Sequence, residues 1–111
     1  MREPAFGRLR CLLVAVAAVA TLPSVAQGQG PDALYARSLA ATCANCHGTN
    51  GSTIRGSAVP PVAGMPKEYM LRQLAAFKDG SRPASVMHQI AKGFTDAQLD
   101  QIASYFAGLK Q

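Results

Sequence analysis

Two cysteines and a histidine stand together near the middle of the chain, in the run Cys43-Ala44-Asn45-Cys46-His47. This is the C-x-x-C-H spacing that attaches a c-type haem. Two thiols separated by two residues can each reach one vinyl group on the same side of a porphyrin and form a thioether. The next residue then brings its imidazole under the iron as the proximal ligand. The spacing therefore predicts covalent haem on Cys43 and Cys46, with iron coordination by His47.

The N-terminal segment has the parts of a secretory signal peptide. Residues 1–10 carry three arginines, residues 11–22 carry no charge, and small residues stand at the −3 and −1 positions of a cut after Ala26. As a helix, the uncharged run would rise about 18 Å, which is too short for a hydrocarbon core of about 30 Å. We predict that residues 1–26 are removed on export to the periplasm and that residues 27–111 form one domain. An uncleaved membrane anchor is the alternative.

The charge of the mature chain excludes a nucleic-acid footprint. The full chain of 111 residues has a formal charge of +5, and loss of three arginines and Glu3 with the signal peptide lowers it to +3. These charges are spread along the sequence, whereas nucleic-acid binding needs a dense basic stripe. The mature chain also contains no predicted membrane span.

Three other uses of the cysteine pair compete with haem attachment. A structural zinc site needs four ligands, and outside the motif the mature chain offers only His88. A thioredoxin-like redox pair needs a βαβ setting, and the sequence contains no alternating β-branched run. A local disulfide explains the cysteines but neither His47 nor the glycine-rich segment behind it. Haem attachment is the interpretation that uses all three residues of the motif.

The ligand on the other face of the iron separates electron transfer from small-ligand binding. Met70 lies on an apolar helical stripe and is predicted to fill the core, and Met65 is predicted to pack at the start of the same helix. Met87 lies 40 residues beyond His47, which is enough chain to pass around the haem edge. We predict Met87 as the second axial ligand. His88 is the alternative ligand, and otherwise a surface histidine beside one.

A proline-bearing turn, VPPVAG at residues 59–64, is predicted to orient the proximal imidazole. Such an imidazole usually donates its second N–H to a carbonyl, and this bond fixes the tautomer. We predict that the acceptor is the carbonyl of Pro60.

The pattern predicts four helical stretches that position these groups. The first runs from a cap at Asp32 to about Ala44, the second over 67–79 with Pro66 in its first turn and Gly80 at its end, and the third over 86–92. A capping box of Thr95 and Gln98 opens the last, whose apolar face comprises Leu99, Ile102, Ala103, Phe106 and Leu109.

The segment between the first two helices has no helical or strand period. Residues 48–66 contain four glycines and three prolines, and so long an irregular stretch is uncommon in a compact domain. We expect a haem to supply the core that side chains do not. The predicted fold is all-α, with three or four short helices and a long Gly/Pro-rich loop wrapped around one covalent haem.

The chain resembles the class I c-type cytochromes, specifically the short bacterial ones with a single haem. The resemblance covers nearly all of residues 32–111 and rests on ATCANCHGTNG at 41–51, PPVAG at 60–64 and VMHQIAKGFTDAQLDQIASYF at 86–106. It implies the cytochrome c fold, in which the first and last helices cross. It also implies these roles: thioethers on Cys43 and Cys46, axial ligands His47 and Met87, and the Pro60 carbonyl as partner of His47. Both ends are similar to the haem subunits of flavocytochrome c sulfide dehydrogenases.

These features predict a periplasmic one-electron carrier that works between redox proteins, among which a flavoprotein dehydrogenase and a terminal oxidase are candidates. The alternatives are an electron-transfer subunit of a flavin-dependent dehydrogenase such as sulfide dehydrogenase, and a haem-based ligand sensor. No acid/base pair beside an open metal position is evident, so catalysis by this chain alone is not expected. Four cations are candidates for steering acidic partners, unless they belong to a solvated face: Lys67, Lys78, Arg82 and Lys92.

Overall fold

A computed structural model describes residues 30–110, so the predicted signal peptide lies outside the described residues. The elements are α1 (Pro31–His47), a short 3-10 turn (Thr49–Gly51), α2 (Lys67–Asp79), α3 (Met87–Lys92) and α4 (Asp96–Ala107). The described part of the chain contains no β-strand, which confirms the all-α prediction. Between residues 30 and 110, no helix combines the length and apolar character needed to cross a membrane.

Helix α1 begins earlier and ends later than predicted. Its N-cap is Gly30, with no side-chain hydrogen bond, and Pro31 occupies the first helical turn. Proline suits this position because its φ is already helical and its missing N–H would have no partner there. Asp32 therefore lies in the first turn rather than at the cap. The helix continues until Gly48, whose φ of 81° favours glycine, so the cysteine motif forms the last turns of α1 instead of following it.

The other helices lie close to their predicted positions. The bounds of α2 are those predicted, with Pro66 as the N-cap and Gly80 in the left-handed conformation at the end. Helix α3 begins at Met87, one residue later than predicted, because Val86 has the non-helical conformation of an N-cap. The predicted capping box opens α4: Gln98 N donates to Thr95 Oγ1 at 3.2 Å, and Thr95 N donates to Gln98 Oε1 at 2.9 Å.

The hydrophobic core lies where α4 packs against both α1 and α2. Met70 is buried in it, as predicted, and Met65 is half-buried against it. A hydrogen bond of 3.0 Å from Gln98 Nε2 to the Tyr35 hydroxyl also joins α4 to α1. The predicted packing of the first helix on the last is therefore present. The buried members of the core are Ala40, Met70, Leu99, Ile102, Ala103 and Phe106.

The segment between α1 and α2 is anchored on α4 through Gly51 and Phe106. Gly51 O accepts hydrogen bonds from the N–H groups of Val62 at 2.8 Å and Ala63 at 3.1 Å, and Gly64 N donates to Phe106 O at 2.8 Å. Gly51 has a φ of +76°, and a Cβ there would lie 2.7 Å from Val62 Cγ2 and 2.8 Å from Phe106 Cε1. Both the backbone conformation and the close approach therefore require glycine. This anchorage fixes the turn that carries Pro60.

Candidate haem site

The two cysteines of the motif lie in different surroundings near the end of α1. Cys43 is half-buried against the core, Cys46 is exposed, and both thiols are free. Burial raises the pKa of the Cys43 thiol, and the Thr42 hydroxyl, 3.9 Å from its Sγ, opposes this effect more weakly. The disulfide considered from the sequence is thus not formed, and both sulfurs are available for thioethers.

The side chain of His47 is held by the loop that follows α1. Its Nδ1 lies 2.7 Å from the carbonyl oxygen of Pro60. A carbonyl oxygen can only accept a hydrogen bond, so Nδ1 carries the proton and donates it. In the neutral ring the other nitrogen, Nε2, then keeps its lone pair, which is the form that coordinates a metal. The acceptor is the carbonyl selected from the sequence.

Met87 and His88 begin α3, which packs against α2. Met87 is half-buried, and Ala91, one turn further on, is fully buried. His88 is also half-buried, and its Nδ1 is shielded from solvent without a hydrogen-bond partner among residues 30–110. The side chain of His88 is thus partly at the surface, and its place beside the predicted ligand Met87 stays a prediction.

Two of the four cations considered for steering partners are paired within the fold. Lys67 Nζ lies 2.7 Å from Asp100 Oδ1, and Lys78 Nζ lies 2.7 Å from Asp96 Oδ1. Lys78 also donates to the Phe94 carbonyl at 3.0 Å. Both pairs connect α2 to α4: Asp96 is the first residue of α4, and Asp100 lies one turn further on. Their positive charge is partly neutralised by these partners, so the two lysines are weaker candidates for steering acidic partner proteins.

A third cation, Arg82, is exposed to solvent, but its side chain also packs on α2. Its guanidinium lies over the ring of Phe77, 4.5 Å from the centroid, and donates a hydrogen bond to Gln73 Oε1. Sequence reasoning missed this cluster. The only feature of the sequence that points to it is the four-residue spacing of Gln73 and Phe77, because residues at this spacing lie on the same face of a helix.

The donor set of α1 fits a haem better than the alternatives weighed from the sequence. A thioredoxin-like pair would need strands, and residues 30–110 contain none. Within the same range, no three His, Cys, Asp or Glu side chains are grouped so that they could hold a metal ion. Two free sulfurs and an imidazole with an unprotonated Nε2 are instead the groups that a covalently bound haem requires.

Comparison with known proteins agrees with this chemistry. The family model for cytochrome c matches residues 33–110. The cytochrome subunit of sulfide dehydrogenase from Chlorobaculum tepidum is 41% identical over 73 residues, which are 66% of this chain and 64% of that protein. A thiosulfate dehydrogenase electron acceptor from Thiomonas intermedia is 37% identical over 95 residues, which are 86% of this chain and 44% of that protein. The chain thus spans about half to two thirds of the length of these relatives.

A solved structure also supports the cytochrome c fold. The cytochrome c4 of Acidithiobacillus ferrooxidans superimposes with a TM-score of 0.57 and 37% sequence identity, over 60% of this chain and 38% of that one. The family-model match over residues 33–110 includes Cys43 and Cys46, and the cofactor that this family implies is covalent haem c with its iron. The helices of residues 30–110, a C-x-x-C-H motif that ends α1 and the match over residues 33–110 lead to one conclusion: the chain is a haem protein that belongs to the cytochrome c family.

Proposed function

We propose that this chain is a periplasmic carrier of single electrons whose haem iron is held between His47 and Met87. The hydrogen bond between His47 Nδ1 and Pro60 O, 2.7 Å long, carries this proposal. It fixes the tautomer that leaves Nε2 free, directly after the two cysteines that tether the porphyrin. When bound, haem c supplies a one-electron Fe(III)/Fe(II) couple, while the chain sets its ligation and access.

Met87 is the side chain best suited to the second axial position. It is half-buried and begins α3, 40 residues beyond His47. Its thioether is soft and neutral, so it favours Fe(II) over Fe(III) more than a second imidazole would and raises the potential. With Met87 on the iron, the site would be closed on both faces and would exclude small ligands, as a carrier rather than a ligand sensor requires.

The proposed location follows from the N-terminal sequence. Residues 1–26 would direct export and be removed, leaving residues 27–111 as the cytochrome c domain in the periplasm. In this compartment the chain would carry electrons between partner proteins without performing catalysis of its own. Support for the non-enzymatic role comes from the electron-transfer cytochromes among its relatives.

Absorption spectra of the purified mature protein, oxidised and reduced, test this function. We expect a c-type haem spectrum, a sulfur-to-iron charge-transfer band in the oxidised form, and a redox titration that fits one electron. Carbon monoxide should not bind the reduced protein at neutral pH. A folded but colourless protein would contradict haem binding, and ready binding of carbon monoxide would favour the sensor.

A second candidate function is that of the haem subunit of a flavin-dependent dehydrogenase. The observation that favours it is the 41% identity to a cytochrome subunit of sulfide dehydrogenase. Gel filtration of a native extract separates the two functions. A subunit would elute with a flavoprotein in a stable complex, whereas a free carrier would elute near the mass of its own chain.

A further inference from the structure

The segment between α2 and Met87 is tied back onto α2 as soon as the helix ends. Gly80 turns the chain in the left-handed conformation, with a φ of 85°. Ser81 N then donates to Asp79 Oδ1 at 2.7 Å, and Arg82 N donates to Ala76 O at 2.9 Å. The backbone is therefore fixed on the last turn of α2 up to Arg82.

The side chain of Arg82 extends this attachment along the helix. The guanidinium lies over the Phe77 ring at 4.5 Å and donates to Gln73 Oε1. A planar guanidinium can stack on an aromatic ring and donate in its own plane at once, which an ammonium cannot do. The side chain thus contacts two residues one turn apart on the same face of α2.

These contacts restrict where Met87 can lie. Four residues, 83–86, separate Arg82 from Met87, and together with the final step to Met87 they span at most about 18 Å when fully extended. Pro83 further limits the backbone of this short connection. The attachment of Arg82 to α2 therefore limits where α3, which carries the thioether, can begin.

We propose that Arg82 is a positioning residue that holds Met87 at the haem iron by clamping residues 80–86 onto Gln73 and Phe77. This inference rests on the proposed ligation of the iron by His47 and Met87. The Arg82 contacts raise the fraction of molecules in which the Met87 thioether is at the iron. When these contacts are lost, an added ligand competes more effectively with Met87 for the sixth coordination position.

Competition by imidazole for the oxidised holoprotein tests the clamp. Arg82→Ala should bind imidazole about five- to tenfold more tightly than the unaltered protein and show a weaker sulfur-to-iron charge-transfer band, because a stacking contact and a charged hydrogen bond are lost. Arg72→Ala is the matched control. It removes an arginine from α2 whose guanidinium lies 6.0 Å from the Tyr69 ring centroid and which, within residues 30–110, shares no hydrogen bond with residues 80–86. Equal imidazole affinities for the two variants would overturn the proposal.

A variant on the helix side tests the same contact without altering the connection. Gln73→Ala should tighten imidazole binding in the same direction but less, and the double variant with Arg82→Ala should bind no more tightly than Arg82→Ala alone. Independent, additive effects would overturn the clamp. Should Arg82→Ala yield no holoprotein, Gln73→Ala and Phe77→Leu decide the question, and imidazole affinities equal to that of the unaltered protein would refute it.

Failure of the underlying ligation gives a different result. If Met87 is not a ligand, the unaltered protein lacks the charge-transfer band and Met87→Ala leaves imidazole affinity unchanged. If Met87 is a ligand but Arg82 does not hold it, Met87→Ala abolishes the band while Arg82→Ala retains it in full.

Discussion

His47 Nδ1 and the carbonyl oxygen of Pro60, thirteen residues apart in sequence, are joined by a hydrogen bond of 2.7 Å. The bond connects the haem-attachment motif at the end of α1 to the irregular segment that follows. The orientation of the imidazole therefore depends on how firmly that segment is held. Gly64 N bonds it to Phe106 O of α4, and Gly51 packs beside the Phe106 ring.

Gly51→Ala should destabilise the holoprotein more than an ordinary glycine replacement. A Cβ would lie 2.7 Å from Val62 Cγ2 and 2.8 Å from Phe106 Cε1, at a φ of +76°. We expect a loss in the free energy of unfolding of about 2–4 kcal/mol, from left-handed strain and overpacking together. Gly56→Ala is the control, since Gly56 has a φ of +83° but no atom within 4 Å, and should lose about 1 kcal/mol. Denaturant titration followed by haem absorption measures both, and equal losses would contradict the packing argument.

Replacement of both Cys43 and Cys46 by serine should abolish covalent haem, because serine cannot form the thioethers. Mass spectrometry of the denatured, full-length mature protein measures this, because only a covalently bound haem still adds its mass to the chain. Thr42→Ser, which keeps the neighbouring hydroxyl and both thiols, should retain it. A double variant that still carries the haem mass would refute attachment through these sulfurs.

Met87→Ala should remove the sulfur-to-iron charge-transfer band, lower the midpoint potential and allow carbon monoxide to bind the reduced form, because the iron loses a neutral, soft ligand. Met70→Leu is the control, since Met70 is buried in the core and a volume-conserving change there should cost less than about 1.5 kcal/mol of stability and leave the band intact. His88→Ala should leave the spectrum almost unchanged. Survival of the band in Met87→Ala would mean that another residue is the ligand.

The turn after α2 should weaken in acid through Asp79. Hydrogen bonds from the Ser81 hydroxyl and then from the Ser81 N–H lower the pKa of Asp79 below its ordinary value of 3.8. A folded pKa below the unfolded one means that this contribution to stability is complete above about pH 3.8 and is lost as the pH falls through the folded pKa. Asp79→Ala should thus be less stable than the unaltered protein at pH 7, and thermal unfolding should show the difference shrinking at acid pH. A difference that stays constant with pH would exclude this ionisation as its source.

Sequence reasoning succeeded where the structure is local. The Thr95–Gln98 box and the Gly80 terminus were predictable because each depends on residues within one helical turn. The acceptor for His47 was predictable from a proline-bearing turn placed shortly after the motif. In contrast, the end of α1 was placed too early, because helical structure continues through Cys46 until Gly48 stops it.

Contacts between distant helices were not predictable in the same way. The pairing of Lys67 with Asp100 joins residues 33 apart, and it depends on how α2 lies against α4. The shielding of His88 Nδ1 from solvent was likewise not predictable from the neighbours of this residue in sequence. Arg82 is an exposed charge, but its stacking on Phe77 was not predictable, because the residues on either side of it do not show that the chain folds back over α2.

Phe106, which accepts the Gly64 N–H and packs beside Gly51, lies 59 residues after His47 and close to the C-terminus. During synthesis the chain emerges from its N-terminus, so the motif that contains Cys43 and Cys46 is complete well before the Phe106 ring that packs on the following loop. We expect tethering and ligand alignment to be separate events in the maturation of this protein. A chain shortened before α4 should still acquire covalent haem, while its oxidised spectrum should lack a single fixed axial geometry.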